Sequence, residues 1–235
     1  MVSANYAGDV DHSSSSGNTT ITVMLKQTSI NVNCNPNNVL VNQPTTCVAV
    51  VNGNGPGPSS PPTGTVELST DFASGSCTLA PAGGSSSSCS VSITPGPGTG
   101  NSQHVITATY SGDSVYSSSN HNTNLNVNQR PVSTSVSCSP NPVVHGSATT
   151  CTVTITDTGG AGSPVSPTGT VTFQSNNQGT FSSSSCSLTA SGTSGIASCS
   201  VTFTPNSPGN ADINANYSGD SDHQHNNGQT KLSVT

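Results

Sequence analysis

The chain has 235 residues, of which 29% are hydrophobic, 3% aromatic and only 5% charged, and it lacks tryptophan. Three basic residues against nine acidic ones give a net charge of −6, and Lys26, Arg130 and Lys231 form no footprint for DNA, RNA or an anionic membrane. So little apolar surface excludes one thick core and implies several small domains, while the abundance of Ser, Thr, Asn, Gly, Val and Pro reads as β-structure with many turns.

Residues 1–24 come first in chain order and align with 105–128, Val2 on Ile106, Tyr6 on Tyr110 and Val23 on Val127. They are expected to form the last two strands of a sandwich whose opening strands are absent, leaving Tyr6, Ile21 and Val23 as a bare apolar face. Val2-Ser3-Ala4-Asn5-Tyr6 after Met1 has neither the charge nor the apolar core of a secretory leader, so the segment is read as mature or as part of a longer chain. The longest apolar run, Val48-Ala49-Val50-Val51, is too short for a membrane span.

Two full copies of one repeat follow. Asn33-Cys34-Asn35-Pro36-Asn37 answers Ser137-Cys138-Ser139-Pro140-Asn141, and Pro62-Thr63-Gly64-Thr65-Val66 answers Pro167-Thr168-Gly169-Thr170-Val171. Ala108-Thr109-Tyr110-Ser111-Gly112-Asp113 answers Ala215-Asn216-Tyr217-Ser218-Gly219-Asp220, and also Ala4-Asn5-Tyr6-Ala7-Gly8-Asp9. The domains are therefore expected at 1–27 (an incomplete closing hairpin), 28–130 and 131–235. The offset between copies is 104 residues at Cys34 and 109 at Cys77, which places an insertion in a loop near Gln174 to Phe181. Alternation predicts strands in the second copy at 132–138, 149–156, 169–175, 186–188, 196–204, 210–217 and 229–235. Seven strands at such spacing read as an all-β fold of tandem immunoglobulin-like sandwiches.

The cysteines lie at 34, 47, 77, 89, 138, 151, 186 and 199, in consecutive pairs separated by 13, 12, 13 and 13 residues. The even spacing favours local disulfides, Cys34–Cys47, Cys77–Cys89, Cys138–Cys151 and Cys186–Cys199, since no pair has the short spacing of a structural zinc site. Alternation turns each cysteine inward. The spacing implies bridges between strands adjacent in sequence, unlike the cross-sheet bridge of antibody domains. An oxidising, extracellular or cell-surface location follows.

Pro-Thr-Gly-Thr-Val, two local cysteine pairs and a closing Tyr-Ser-Gly-Asp, in that order and twice over, resemble the bacterial and archaeal Ig-like repeat domains of long extracellular surface proteins. The resemblance implies a structural or adhesive role and names no ligand.

Candidate chemistry is sparse. Asp9, Asp11 and His12, and Asp220, Asp222, His223 and His225, are the candidate metal ligands; the stronger reading is that each leading Asp closes a turn on backbone amides. Tyr6, Tyr110 and Tyr217 are read as structural tyrosines of the tyrosine-corner kind. Asn18 and Asn216 fit the glycosylation sequon. His104, His121 and His145 each lie in a loop or strand start with no matching acid motif and there is no nucleophile elbow, so catalysis, cofactors and metals are not expected. Lys26 and Arg130, at the junctions, are expected to make weak, exposed pairs with an acidic turn such as Asp9 or Asp113 of the neighbouring domain.

The function expected is a structural module of an extracellular filament, stalk or surface layer, with identical subunits and glycans as partners. The alternatives are an adhesive or carbohydrate-binding module and a Thr-ladder face for ice or mineral.

Overall fold

The computed structural model describes residues 1–57, 60–176 and 179–235. Among these residues no helix is long and apolar enough to cross a membrane. A short hairpin leads, β1 (Val2–Tyr6) with β2 (Ser15–Thr19). The first repeat contains β3 (Thr28–Asn35), β4 (Asn38–Leu40), β5 (Thr45–Gly53), β6 (Thr65–Ser69), β7 (Ser74–Thr78), β8 (Ala80–Gly83), β9 (Ser86–Ile93), β10 (Ser102–Tyr110) and β11 (Ser119–Asn128). The second contains β12 (Val132–Ser139), β13 (Thr149–Asp157), β14 (Thr170–Ser175), β15 (Gly179–Phe181), β16 (Ser185–Ser187), β17 (Thr189–Ala190), β18 (Ile196–Pro205), β19 (Gly209–Tyr217) and β20 (Asn226–Val234).

Each repeat is a sandwich of two sheets. In the first, β3-β5-β9-β8 faces β4-β11-β10-β6-β7. In the second, β12-β13-β18-β15, with β17 also on β18, faces β16-β14-β19-β20. The period-two pattern explains the packing. Ile30, Val32 and Cys34 on β3, Cys47, Ala49 and Val51 on β5, and Ile106, Ala108 and Tyr110 on β10 all turn into one core. Between them stand Asn, Ser and Thr facing water. The second core repeats this with Cys151, Val153, Ile155, Phe203, Ile213 and Tyr217.

Disulfides supply core volume that a chain this poor in aromatic residues lacks. Cys34 lies opposite Cys47 on β3 and β5, and Cys138 opposite Cys151 on β12 and β13, with Cα atoms 3.9 and 4.0 Å apart. These two bridges lie within one sheet and are buried. The second bridge of each repeat departs from the sequence reading. Cys77–Cys89 joins β7 to β9 and Cys186–Cys199 joins β16 to β18, so each ties one sheet to the other. The intervening strand, β8 or β17, changes sheets, which lets a short loop cross the sandwich.

The inserted segment also differs from the expected loop. Its residues Asn177 and Gln178 lie outside the described residues, but Gly179–Phe181 forms β15 on the edge of β18. The cause is Phe181, whose ring lies 4.6 Å from that of Phe203 and 6.0 Å from that of Phe173.

Candidate functional site

The turn after the penultimate strand latches each sandwich. In the first repeat Gly112 takes a φ of +87°, and Asp113 Oδ1 accepts the N–H groups of Val115 and Tyr116 at 2.8 Å. Its Oδ2 accepts both the N–H and the hydroxyl of Thr63 at 2.9 Å, while the Tyr110 hydroxyl donates to the Thr63 carbonyl at 2.9 Å. The second repeat repeats the carboxylate bonds with Gly219, Asp220 and Thr168, where the Asp220–Thr168 distances are 2.8 Å, but its Tyr217 hydroxyl is buried without a hydrogen-bond partner. The Pro-Thr-Gly segment is thus the receptor for the Tyr-x-Gly-Asp turn. Burial works against ionising Asp113, but the donors of Thr63, Val115 and Tyr116 outweigh it and hold the carboxyl down to about 2. Burial, then the Asp113 charge, pushes Tyr110 up to about 12. With both Asp oxygens occupied by protein donors, little is left for a cation. Among the described residues no group of three or more His, Cys, Asp or Glu is placed to hold a metal.

A dense polar cluster sits where the two repeats meet. Arg130 is fully buried. Its Nε donates to Asp157 Oδ2, and Nη2 to the Gly159 carbonyl. Nη1 donates at 2.8 Å to the Ala161 carbonyl in the second repeat and at 2.7 Å to the Val41 carbonyl in the first. This corrects the expectation of an exposed pair with an acidic turn of a neighbouring domain. The partner is Asp157, at the end of β13 in the repeat that Arg130 leads into, and both side chains are fully shielded from water. An arginine fork suits this place because it presents five donors in a plane and stays charged when buried. Burial opposes ionisation of Asp157, yet Arg130 and the N–H groups of Val165 and Gly159 hold its carboxyl below the ordinary range.

His223 completes the cluster. Its Nδ1 faces Asp220 Oδ1 at 2.8 Å and its Nε2 faces the Val165 carbonyl at 3.0 Å, with Asp157 Oδ2 3.8 Å away. Both neighbours are acceptors, an arrangement that favours the doubly protonated ring. Burial disfavours that charge, but the bond and charge of Asp220 dominate and raise the pKa. Arg130 and the protonated His223 thus face the fully shielded Asp157 and the partly exposed Asp220. Across the joint, the Gly98 N–H of the first repeat donates to Asp222 Oδ1 at 2.7 Å.

The sign of the pH response follows. A raised His223 pKa supplies stability that is complete below the ordinary imidazole value of 6.5 and fades as pH climbs through the folded-state value. The depressed carboxyls Asp157 and Asp220 act oppositely, losing their contribution only as pH falls below the usual carboxylate range. The unfolding midpoint of the second repeat is expected to fall between pH 6 and pH 9, and His223→Gln is expected to flatten that decline. A slope unchanged by the substitution in urea titrations would refute the assignment.

Residues 32–128 and 136–235 each match the profile of the bacterial Ig-like domain (group 3). The chain belongs to this family. A search of curated proteins gives no match. Among solved structures it is similar to invasin, a bacterial integrin-binding protein, at 15% identity and a TM-score of 0.52, covering 88% of this chain and 39% of that one. The Yersinia pseudotuberculosis adhesin InvE is 14% identical, with a TM-score of 0.44 over 88% of this chain and 58% of its own. The likeness to invasin is one of fold, and the chain spans 39% and 58% of these two relatives.

The two Ig-like domains solve the same joint differently. The backbone contacts agree: Lys26 bonds Val115 and Ser117 in the first domain as Arg130 bonds Asp222 and Gln224 in the second. Tyr116 stands where His223 stands, and its hydroxyl donates to the Ser60 carbonyl at 2.5 Å. Gly53 stands where Asp157 stands, and a Cβ there would lie 2.6 Å from the Tyr116 ring. One domain fills the site with a phenol over a glycine, the other with a charged cluster. Asp157 and the carbonyl partners of Arg130 escaped the sequence reading; the signal available was the exchange of Gly53 for Asp157 and of Tyr116 for His223 between copies.

The remaining sequence candidates stay apart from the joint. Asn18 and Asn216 are exposed on strands, and His225 lies in the exposed loop beyond His223. His121 meets only the Val32 N–H, at 3.4 Å, and His145 lies in a surface turn. His104 does have an acid, contrary to expectation: Asp71 reaches its Nδ1 at 2.9 Å while Nε2 faces the Thr99 carbonyl. The pair is distant in sequence, which is why no local motif announced it.

Proposed function

We propose that this chain is a non-catalytic structural module of an extracellular bacterial surface protein, a stiff spacer of Ig-like domains that carries length and assembles laterally with identical subunits. The observation that carries the reading is the buried Arg130 cluster. A joint that bonds the first domain's backbone, Arg130 to the Val41 carbonyl and Asp222 to the Gly98 N–H, resists bending, since opening it would break those bonds. Disulfides in place of aromatic core support an oxidising, extracellular setting. The exposed Asn18 and Asn216 suit glycan attachment on such a surface.

Two glycines let the domains close. A Cβ on Gly162 would lie 2.2 Å from the Asn42 carbonyl oxygen, and one on Gly100 would lie 2.3 Å from the Ser221 oxygen, in each case in the other domain. Gly162→Ala is therefore expected to leave each sandwich folded while freeing the angle between them. Residual dipolar couplings should give one shared alignment tensor for both domains in the native chain and two in the variant. Independent tensors in the native chain would sink the spacer reading, as would a glycan array showing tight, specific sugar binding in favour of adhesion.

A further inference from the structure

The first domain meets the second partly through a glycine-rich loop after β9, Gly96-Pro97-Gly98-Thr99-Gly100. Gly98 gives its N–H to Asp222 at 2.7 Å, and Gly100 lies so close that a Cβ would come 2.3 Å from the Ser221 carbonyl oxygen. Alternate glycines leave such a loop a wide choice of paths, and Gly98 uses that freedom at a φ of +90°. Only one path brings both residues to the second domain, so the loop needs a fixed point. Thr99, between the two contact residues, supplies it. Thr99 is buried, its hydroxyl donates to the Gly96 carbonyl at 2.7 Å, and its own carbonyl faces Nε2 of His104 at 3.1 Å.

The imidazole is held in its turn. Nδ1 faces both carboxylate oxygens of Asp71 at 2.9 Å, and the Phe72 ring stands edge-on to it with centroids 5.0 Å apart. The carboxylate and the Thr99 carbonyl only accept, so the ring is the donor to either. Asp71 lies in the turn between β6 and β7 and His104 on β10, which braces the loop from the sheet. The second domain has neither part of this device. Pro95 and Pro205 match, accepting the N–H groups of Asn42 and Gly146, and His104 and Ala211 match, opposite Leu125 and Leu232. The connection is three residues longer where the histidine is present (95 to 104 against 205 to 211). Asn176 stands where Asp71 stands, and it bonds Asp212 instead.

We propose that Asp71 and His104 are positioning residues of the inter-domain joint, bracing Thr99 so that Gly98 and Gly100 meet the second domain. His104 acts through the loop, and Asp71 acts through the ring. The proposal rests on the stiff-spacer reading and names what sets the joint on the first domain's side.

The test is hydrogen exchange at the Gly98 amide in the 235-residue chain, because that N–H is itself a bond across the joint. The Asp71 side chain is 67% exposed, so Asp71→Ala spares the core. Exchange at Gly98 is expected to rise about three- to tenfold in this variant, the factor for one hydrogen bond of ordinary strength. Ile106 and Ala108 in β10 should exchange as before. His104→Gln, whose amide nitrogen replaces Nε2, should keep Gly98 protected, whereas His104→Asn, which replaces only Nδ1, should not. If neither histidine variant folds, Asp71→Ala decides alone. Unchanged exchange at Gly98 in Asp71→Ala overturns the proposal, as does a rise shared equally by the amides of β10. Either result with one alignment tensor for the native chain strikes this proposal alone, while two tensors in the native chain strike the stiff-spacer reading with it.

Discussion

Replacing Arg130 with alanine is expected to destabilise the second Ig-like domain by about 3–5 kcal/mol, the usual loss when one partner of a buried ion pair is removed. The number takes no discount for solvent screening, because neither Arg130 nor Asp157 is reached by water. Asp157 would keep its bonds to Gly159 and Val165 but lose the nearer of its two counter-charges, with His223 left 3.8 Å away. The carbonyls of Val41, Gly159 and Ala161 would lose their donor at the same time. Arg130→Lys should recover part of the loss: the charge remains, but three clustered donors cannot span a carboxylate and three carbonyls. Urea unfolding followed separately in each domain decides it. A loss below about 1 kcal/mol, the range of exposed pairs, would mean that the cluster is open to water in solution.

Reduction of the disulfides should have the largest effect of all. Each bridge closes a loop of 12 or 13 residues and contributes about 3 kcal/mol in the chain-entropy account. Two per domain, about 6 kcal/mol, therefore match the lower part of the roughly 5–15 kcal/mol that holds a domain of ordinary stability. Both domains are expected to melt below physiological temperature once reduced, measured by calorimetry with free thiols counted. The order of reduction is also expected: Cys77–Cys89 and Cys186–Cys199, half-buried at the edge of the sandwich, should open before the core bridges Cys34–Cys47 and Cys138–Cys151. A melt unmoved after complete reduction would show that the thin cores suffice alone.

The repeat and its strands were legible because alternation is a local property: Cys151, Val153 and Ile155 declare one face of β13 without reference to anything distant. The cysteine pairs were legible for the same reason. The latch was half legible, since Tyr110 and Asp113 recur but their receptor, Thr63, lies 47 and 50 residues away. The joint was hidden. Arg130 looks like a surface cation when three basic residues serve 235 positions, and most of its partners are carbonyl oxygens, which every residue possesses and no sequence pattern marks. β15 was missed because a single phenylalanine, Phe181, in a run of Ser and Gly carries no period.

Those carbonyl partners have a wider meaning. On the first domain's side, the joint is met by the main-chain oxygens of Val41 and Asn42 and the main-chain nitrogen of Gly98, with the Gln129 amide reaching the Asp220 carbonyl from the linker. The following domain thus recognises the path of its predecessor's backbone and not the letters written on it. Domains in such a series can be duplicated, reordered or allowed to drift apart in sequence while every seam still closes, provided the loop at Val41 keeps its course and the glycine at 100 stays small.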